Sequence, residues 1–210
     1  MANDSAARSG GGVGRNVVLV GAASLVSAAS TYLINVLGAR TLPVHENTQL
    51  LTNLAILFFF YGIVGAVATE FTRSVAQATQ TGIANGPRAF PVTLSLAAIV
   101  GVVFVVSSAW WSNSPGTSVS APLVWLMTAG VVGYTAHVGL CGVLAGVGRW
   151  PNMSLLVGAE GLGRVVFAVL AFAIGASAGG YLGAVVAAAF VWIGFMLGSG
   201  TVRDATRSRL

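Results

Sequence analysis

Six apolar runs separated by short polar connections make up almost the whole chain: residues 16–37, 50–69, 89–110, 121–147, 153–176 and 181–202. A helix crosses the hydrocarbon core with about 20 consecutive apolar residues, so each run predicts one spanning helix. The expectation is an all-α, polytopic membrane protein with six transmembrane helices. Residues 1–15, rich in Ala, Ser and Gly, are expected to be a disordered tail, and residues 203–210 a second, C-terminal tail. The first run follows Arg8 and Arg15 as a signal sequence would. At about 20 residues, however, it exceeds the usual 7–15 of a signal h-region and reads as an uncleaved helix.

Composition agrees with the pattern. Hydrophobic residues are 56% of the chain and charged ones 7%, with a mean hydropathy of +0.86, against about 25% charged residues in a soluble domain. The formal charge of +5 comes from ten basic residues, all arginine, against five acids. Arg8 and Arg15, Arg73 and Arg88, Arg149, and Arg203, Arg207 and Arg209 all fall on alternate connections. The first connection offsets Arg40 with Glu46, and the third and fifth carry no charge. By the positive-inside rule both termini are expected to be cytoplasmic, and the basic charge reports orientation in place of nucleic-acid binding. The single cysteine, Cys141, permits no intrachain disulfide and belongs to no metal-ligand spacing.

Small residues suggest how the spans associate, because they let helix backbones approach closely in lipid. Gly, Ala, Ser and Thr dominate residues 21–31, and Ser24, Ser27, Ser30 and Thr31 can also bond across an interface. Gly142 and Gly146, and Gly194 and Gly198, stand at GxxxG spacing.

The fifth run holds the chemical anomaly, Glu160 and Arg164. They lie one helical turn apart on one face, so they can neutralise each other. A charge at mid-membrane costs about 3 kcal/mol on the gentlest scales, which places this face toward protein or water. The fourth and fifth runs form a hairpin around residues 149–152, putting His137 level with the pair. One reading is a proton- or ion-sensitive cluster, since imidazole titrates near neutrality. The other is that Glu160 and Arg164 simply pair while His137 bonds a carbonyl or faces another helix. The first reading expects Glu160→Gln to abolish activity and leave the fold intact.

Arg40 and Arg73 flank the first two spans, and a guanidinium suits bidentate recognition of a lipid diphosphate. At helix ends arginines also snorkel to headgroups, and Glu70 is spaced to pair with Arg73. No P-loop, HExxH or GxSxG pattern occurs, so neither ATP hydrolysis nor an intramembrane enzyme is expected, and no cofactor is implied.

The first hairpin resembles the opening of polysaccharide-export flippases in the multidrug/oligosaccharidyl-lipid/polysaccharide superfamily. The family's L-x-A-R-x-L stretch reads here Leu37, Gly38, Ala39, Arg40, Thr41, Leu42, and Arg73 matches the cation closing the second helix. The segment containing Gly148, Arg149, Glu160 and Arg164 is similar to the family's fourth connection and fifth helix. The family's L-G-P-x-x-Y-G is replaced by residues 42–48, LPVHENT, so the outer loop departs from the pattern.

The resemblance implies a plasma-membrane flippase (bacterial inner membrane) that moves a polyprenyl-diphosphate-linked oligosaccharide across the bilayer without covalent chemistry. Arg40, Arg73 and Arg164 would bind the diphosphate, and Glu160 would couple or pair, with His137 beside it. Family members have two six-helix lobes around a midplane cavity, and this chain corresponds to the N-terminal one. A separate chain or a second copy would then supply the other lobe, or the chain is a truncated relic. Ion-coupled efflux of a small molecule and a non-transporting membrane component are the alternatives.

Overall fold

The computed structural model describes residues 3–82, 86–113 and 119–209, with side chains from residue 14 onward. These residues form α1 (Asn3–Thr41), α2 (Val44–Thr81), α3 (Ala89–Trp111), α4 (Ala121–Gly146), α5 (Trp150–Ala173), α6 (Ala178–Ala188), α7 (Val191–Gly198) and α8 (Gly200–Ala205). Six stretches are long and apolar enough to span a bilayer: Gly14–Thr41, α2, α3, α4, α5, and α6 with α7 as one broken span. The protein is an all-α, multi-pass membrane protein.

Several boundaries differ from the sequence expectation. Helix α1 begins at Asn3, so the backbone of the stretch expected to be a disordered tail continues the first helix; residues 1 and 2 lie outside the described residues. Helix α2 has 38 residues, about 57 Å at the α-helical rise. Its end beyond Thr69 is polar, and helical propensity carries it past the apolar run. The sixth span is interrupted at Ala189 and Phe190 without a proline. There the Phe190 ring occupies the notch that Gly133 leaves on α4, with ring atoms 2.8–3.0 Å from where a Cβ would stand.

Helix α4 is the hub. It is 67% buried over its apolar window, against 17% for α1, and it packs on α2, α3 and α6. Close approach requires glycine at Gly142, where a Cβ would lie 2.6 Å from the Ala68 carbonyl oxygen of α2. Thr72 strengthens the same crossing, its Oγ1 shared between Ala68 O at 2.7 Å and Gly142 O at 3.2 Å. The expected GxxxG contact at Gly142 and Gly146 is therefore made. At Gly194 and Gly198 no such contact is made among the described residues, with nothing within 4 Å of where either Cβ would stand. Helix α1 packs chiefly against α5 and hardly meets its sequence neighbour α2. At Gly161, a Cβ would approach Ser27 Cα to 2.9 Å.

Two apolar clusters fill the bundle. One, toward the α1–α2 turn, includes Ile34, Leu57, Phe104, Met127 and Leu182. The other, toward the end where most arginines lie, includes Phe71, Val75, Leu144, Leu156 and Val202. The C-terminal residues belong to this second end and are not a free tail. Val202 and Ala205 of α8 are buried, the Ala89 amide donates to Ser208 O at 2.9 Å, and Arg149 Nη1 donates to Thr201 O at 3.3 Å. The apolar residues at 202 and 205 face one way on this short helix and strap it across the bundle.

Candidate functional site

Between the two apolar clusters lies a polar layer. On α5, Glu160 and Arg164 fall between Leu156 and Ala168; on α4, Tyr134 and His137 fall between Val131 and Leu140. The spacing places both partners of the ion pair inward, and both are buried.

Arg164 organises the layer. Its Nη2 lies 2.5 Å from Glu160 Oε1. The contact is close but oblique: among the described residues no directed hydrogen bond reaches Oε1, and Arg164 Nε also lacks an acceptor. Proximity of opposite charges carries the interaction. Nη1 donates to Thr31 Oγ1 at 3.1 Å and Ser27 Oγ at 3.5 Å, both on α1. The guanidinium carbon lies 5.6 Å from the Phe58 ring centroid, supplied by α2, within cation–π range. One α5 side chain thus touches the two helices that otherwise stand apart.

The gap between α1 and α2 forms an open cleft of about 560 Å³ with Arg164 at its floor. Ser24, Ser27 and Thr31 line one wall, Phe58 and Tyr61 the other, and Tyr134 the back. Tyr61 and Tyr134 stack with centroids 3.8 Å apart and planes 6° from parallel. The Tyr61 hydroxyl is buried and has no hydrogen-bond partner among the described residues. The arrangement offers a cation, hydroxyls and aromatic rings to a ligand with acceptor oxygens, and no metal-ligand cluster occurs among the described residues.

The other sequence candidates are elsewhere. His137 is buried behind Tyr134, stacked on it at 5.8 Å, with Nε2 3.7 Å from Cys141 Sγ. No hydrogen bond or ion pair among the described residues links it to Glu160 or Arg164, which contact each other. Arg73 is exposed and bidentate to Glu70, at 2.8 and 3.1 Å, as the spacing predicted. Arg40 is exposed at the end of α1. It stands 33 positions before Arg73, and the stretch of α2 from Val44 to Arg73 is about 45 Å long, so Arg40, Arg73 and Arg164 do not converge on one point. Glu46 does not pair with Arg40; its Oε2 accepts from the Ala178 amide at 3.2 Å and caps α6. Sequence reasoning missed Tyr61 and Tyr134, whose only signal was aromatic residues carrying a hydroxyl inside apolar runs.

No protein-family model and no solved structure matches the chain. It is similar to an uncharacterized protein of Mycobacterium tuberculosis strain H37Rv, 32% identical over 200 residues, which covers 90% of this chain and 44% of the relative. An uncharacterized protein of Mycobacterium bovis is 30% identical over 214 residues, covering 97% of this chain and 48% of the relative. The chain spans about half the length of the curated relatives it matches.

Proposed function

We propose that the chain forms one wall of a membrane transporter that flips a polyprenyl-diphosphate-linked oligosaccharide, with both termini cytoplasmic. The carrying observation is the cleft between α1 and α2, where a sheltered arginine meets hydroxyls and aromatic rings at mid-bundle. A diphosphate offers the acceptor oxygens that Arg164 Nε and the Tyr61 hydroxyl lack among the described residues, and sugar hydroxyls match Ser24, Ser27 and Thr31. The half-length match to the relatives supports a second wall supplied by further chain, as repeat-built transporters close a midplane site between two halves. Arg40 and Arg73 take a different role from the one first expected, contacting headgroups at the two ends of the path.

Loss of the protein is expected to make lipid-linked saccharide accumulate in the cytoplasmic leaflet, measured by accessibility to an added glycosidase in spheroplasts and inverted vesicles. Hypersensitivity to cationic drugs with normal lipid sidedness would point to efflux instead. A second reading has its own observation: Arg164 already touches Glu160, Thr31, Ser27 and Phe58. On that reading the pair clamps α1, α2 and α5 together and takes no part in transport.

A further inference from the structure

A second cavity, of about 480 Å³, lies at the end of the bundle away from most arginines, where the α1–α2 turn meets the α5–α6 turn. Among the described residues Glu46 is the one charged group that lines it, with the hydroxyls of Thr41, Ser177 and Tyr181 and the apolar Leu42 and Phe172. Tyr181, only 1% exposed, has its oxygen 3.0 Å from Thr41 Oγ1, and Thr41 spends its own proton on Leu37 O at 2.7 Å. The Tyr181 hydroxyl is therefore the donor between them, and its oxygen remains a fixed acceptor. Ser177 stands at the N-cap of α6 yet makes no cap bond. Glu46 Oε2 takes the Ala178 amide in its place, at 3.2 Å. That exchange leaves Glu46 Oε1 and the Ser177 hydroxyl without a protein partner among the described residues. Arg40 neither lines the cavity nor pairs with Glu46.

We propose that this cavity binds a primary ammonium group. Its N–H donors answer the acceptors that line the cavity, Glu46 Oε1, Tyr181 Oη and Ser177 Oγ, and the single formal charge of the lining selects a cation. A quaternary ammonium has no N–H and leaves the same oxygens unanswered. One carboxylate among hydroxyls is too thin a ligand set for a divalent ion, and no metal-ligand cluster occurs among the described residues. Helix α1 ends at Thr41 and α5 at Ala173, so the cavity stands where two spans leave the bilayer. The ethanolamine headgroup of a phospholipid reaches it at that depth, and a soluble amine offers the same chemical group. The proposal is independent of the transport reading, since the two cavities share no lining residue.

The test has two arms on the purified full-length protein. Native mass spectrometry in mild detergent compares added dioleoyl phosphatidylethanolamine with dioleoyl phosphatidylcholine, and isothermal titration of delipidated protein with ethanolamine probes the soluble source. Wild type is expected to hold phosphatidylethanolamine about ten-fold more tightly than phosphatidylcholine, the worth of a charge-assisted hydrogen bond. Glu46→Gln keeps an oxygen for the Ala178 amide but removes the charge, and should erase that preference. Ser177→Ala discards a hydroxyl that bonds nothing in the protein among the described residues and should weaken binding about three-fold, as the loss of one neutral hydrogen bond does. It carries the test if Glu46→Gln proves unstable. A lipid preference that these variants reduce assigns the ammonium to the headgroup, and ethanolamine binding that they reduce, without lipid preference, assigns it to a soluble amine. Equal retention of both lipids with no ethanolamine binding, or binding in either arm that both variants leave unchanged, would overturn the proposal.

Discussion

Glu160→Gln removes the charge that neutralises Arg164 while keeping the side chain's length. Both partners are buried, at 2% and 5% side-chain exposure, so the guanidinium is left in the bundle interior with only neutral neighbours. Breaking a buried pair from one side costs about 3–5 kcal/mol. The neutral Gln oxygen can turn to accept a charge-assisted hydrogen bond that Oε1 does not make, worth about 1.5 kcal/mol or more. The variant should therefore lose about 2 kcal/mol. Equilibrium unfolding in mixed micelles, read by helicity as SDS is titrated, measures it. Removing both charges with Glu160→Leu and Arg164→Met should recover stability to within about 1 kcal/mol of wild type, because no unpaired ion remains. An unchanged midpoint for Glu160→Gln, or a double variant no better than the single one, would refute the reasoning.

Further outcomes follow from the same packing. Gly142→Ala pushes a methyl against the Ala68 carbonyl and should cost about 1–3 kcal/mol in that titration, whereas Gly194→Ala, inside α7, meets nothing among the described residues and should gain about 0.5–1 kcal/mol from helix propensity. Tyr61→Phe discards a buried hydroxyl that bonds nothing, so stability should hold or rise while transport falls; unimpaired transport would remove that hydroxyl from the path. In a Cys141→Ser background, Thr206→Cys should be shielded from a membrane-impermeant maleimide in intact cells and Asn113→Cys labelled. The reverse pattern would invert the orientation proposed from the arginines.

Local periodicity made much of this protein legible. Length and hydropathy predicted the spans, and one-turn spacing predicted both the Glu160–Arg164 and the Glu70–Arg73 contacts, because partners on one helix need no tertiary information. Contacts between helices were read less well. Gly142 and Gly194 have the same spacing pattern, yet only the α4 pair meets a neighbour, since which face of a helix is covered depends on the whole bundle. His137 shares the depth of Glu160 but points behind Tyr134. The cleft itself arises because α1 leaves α2 to pack on α5, a choice made partly by the missing side chain of Gly161 against Ser27. The break at Phe190 likewise depends on a notch in another helix, at Gly133.

The central claim, that the Arg164 cleft handles cargo and does not only hold helices together, is tested most directly by the variant carrying Glu160→Leu with Arg164→Met. It should fold with near wild-type stability, so a transport defect cannot be charged to unfolding. Introduced into cells lacking the protein, it is predicted to leave lipid-linked saccharide trapped in the cytoplasmic leaflet. Full restoration of lipid sidedness by that variant would contradict the account and assign Glu160 and Arg164 to the clamp.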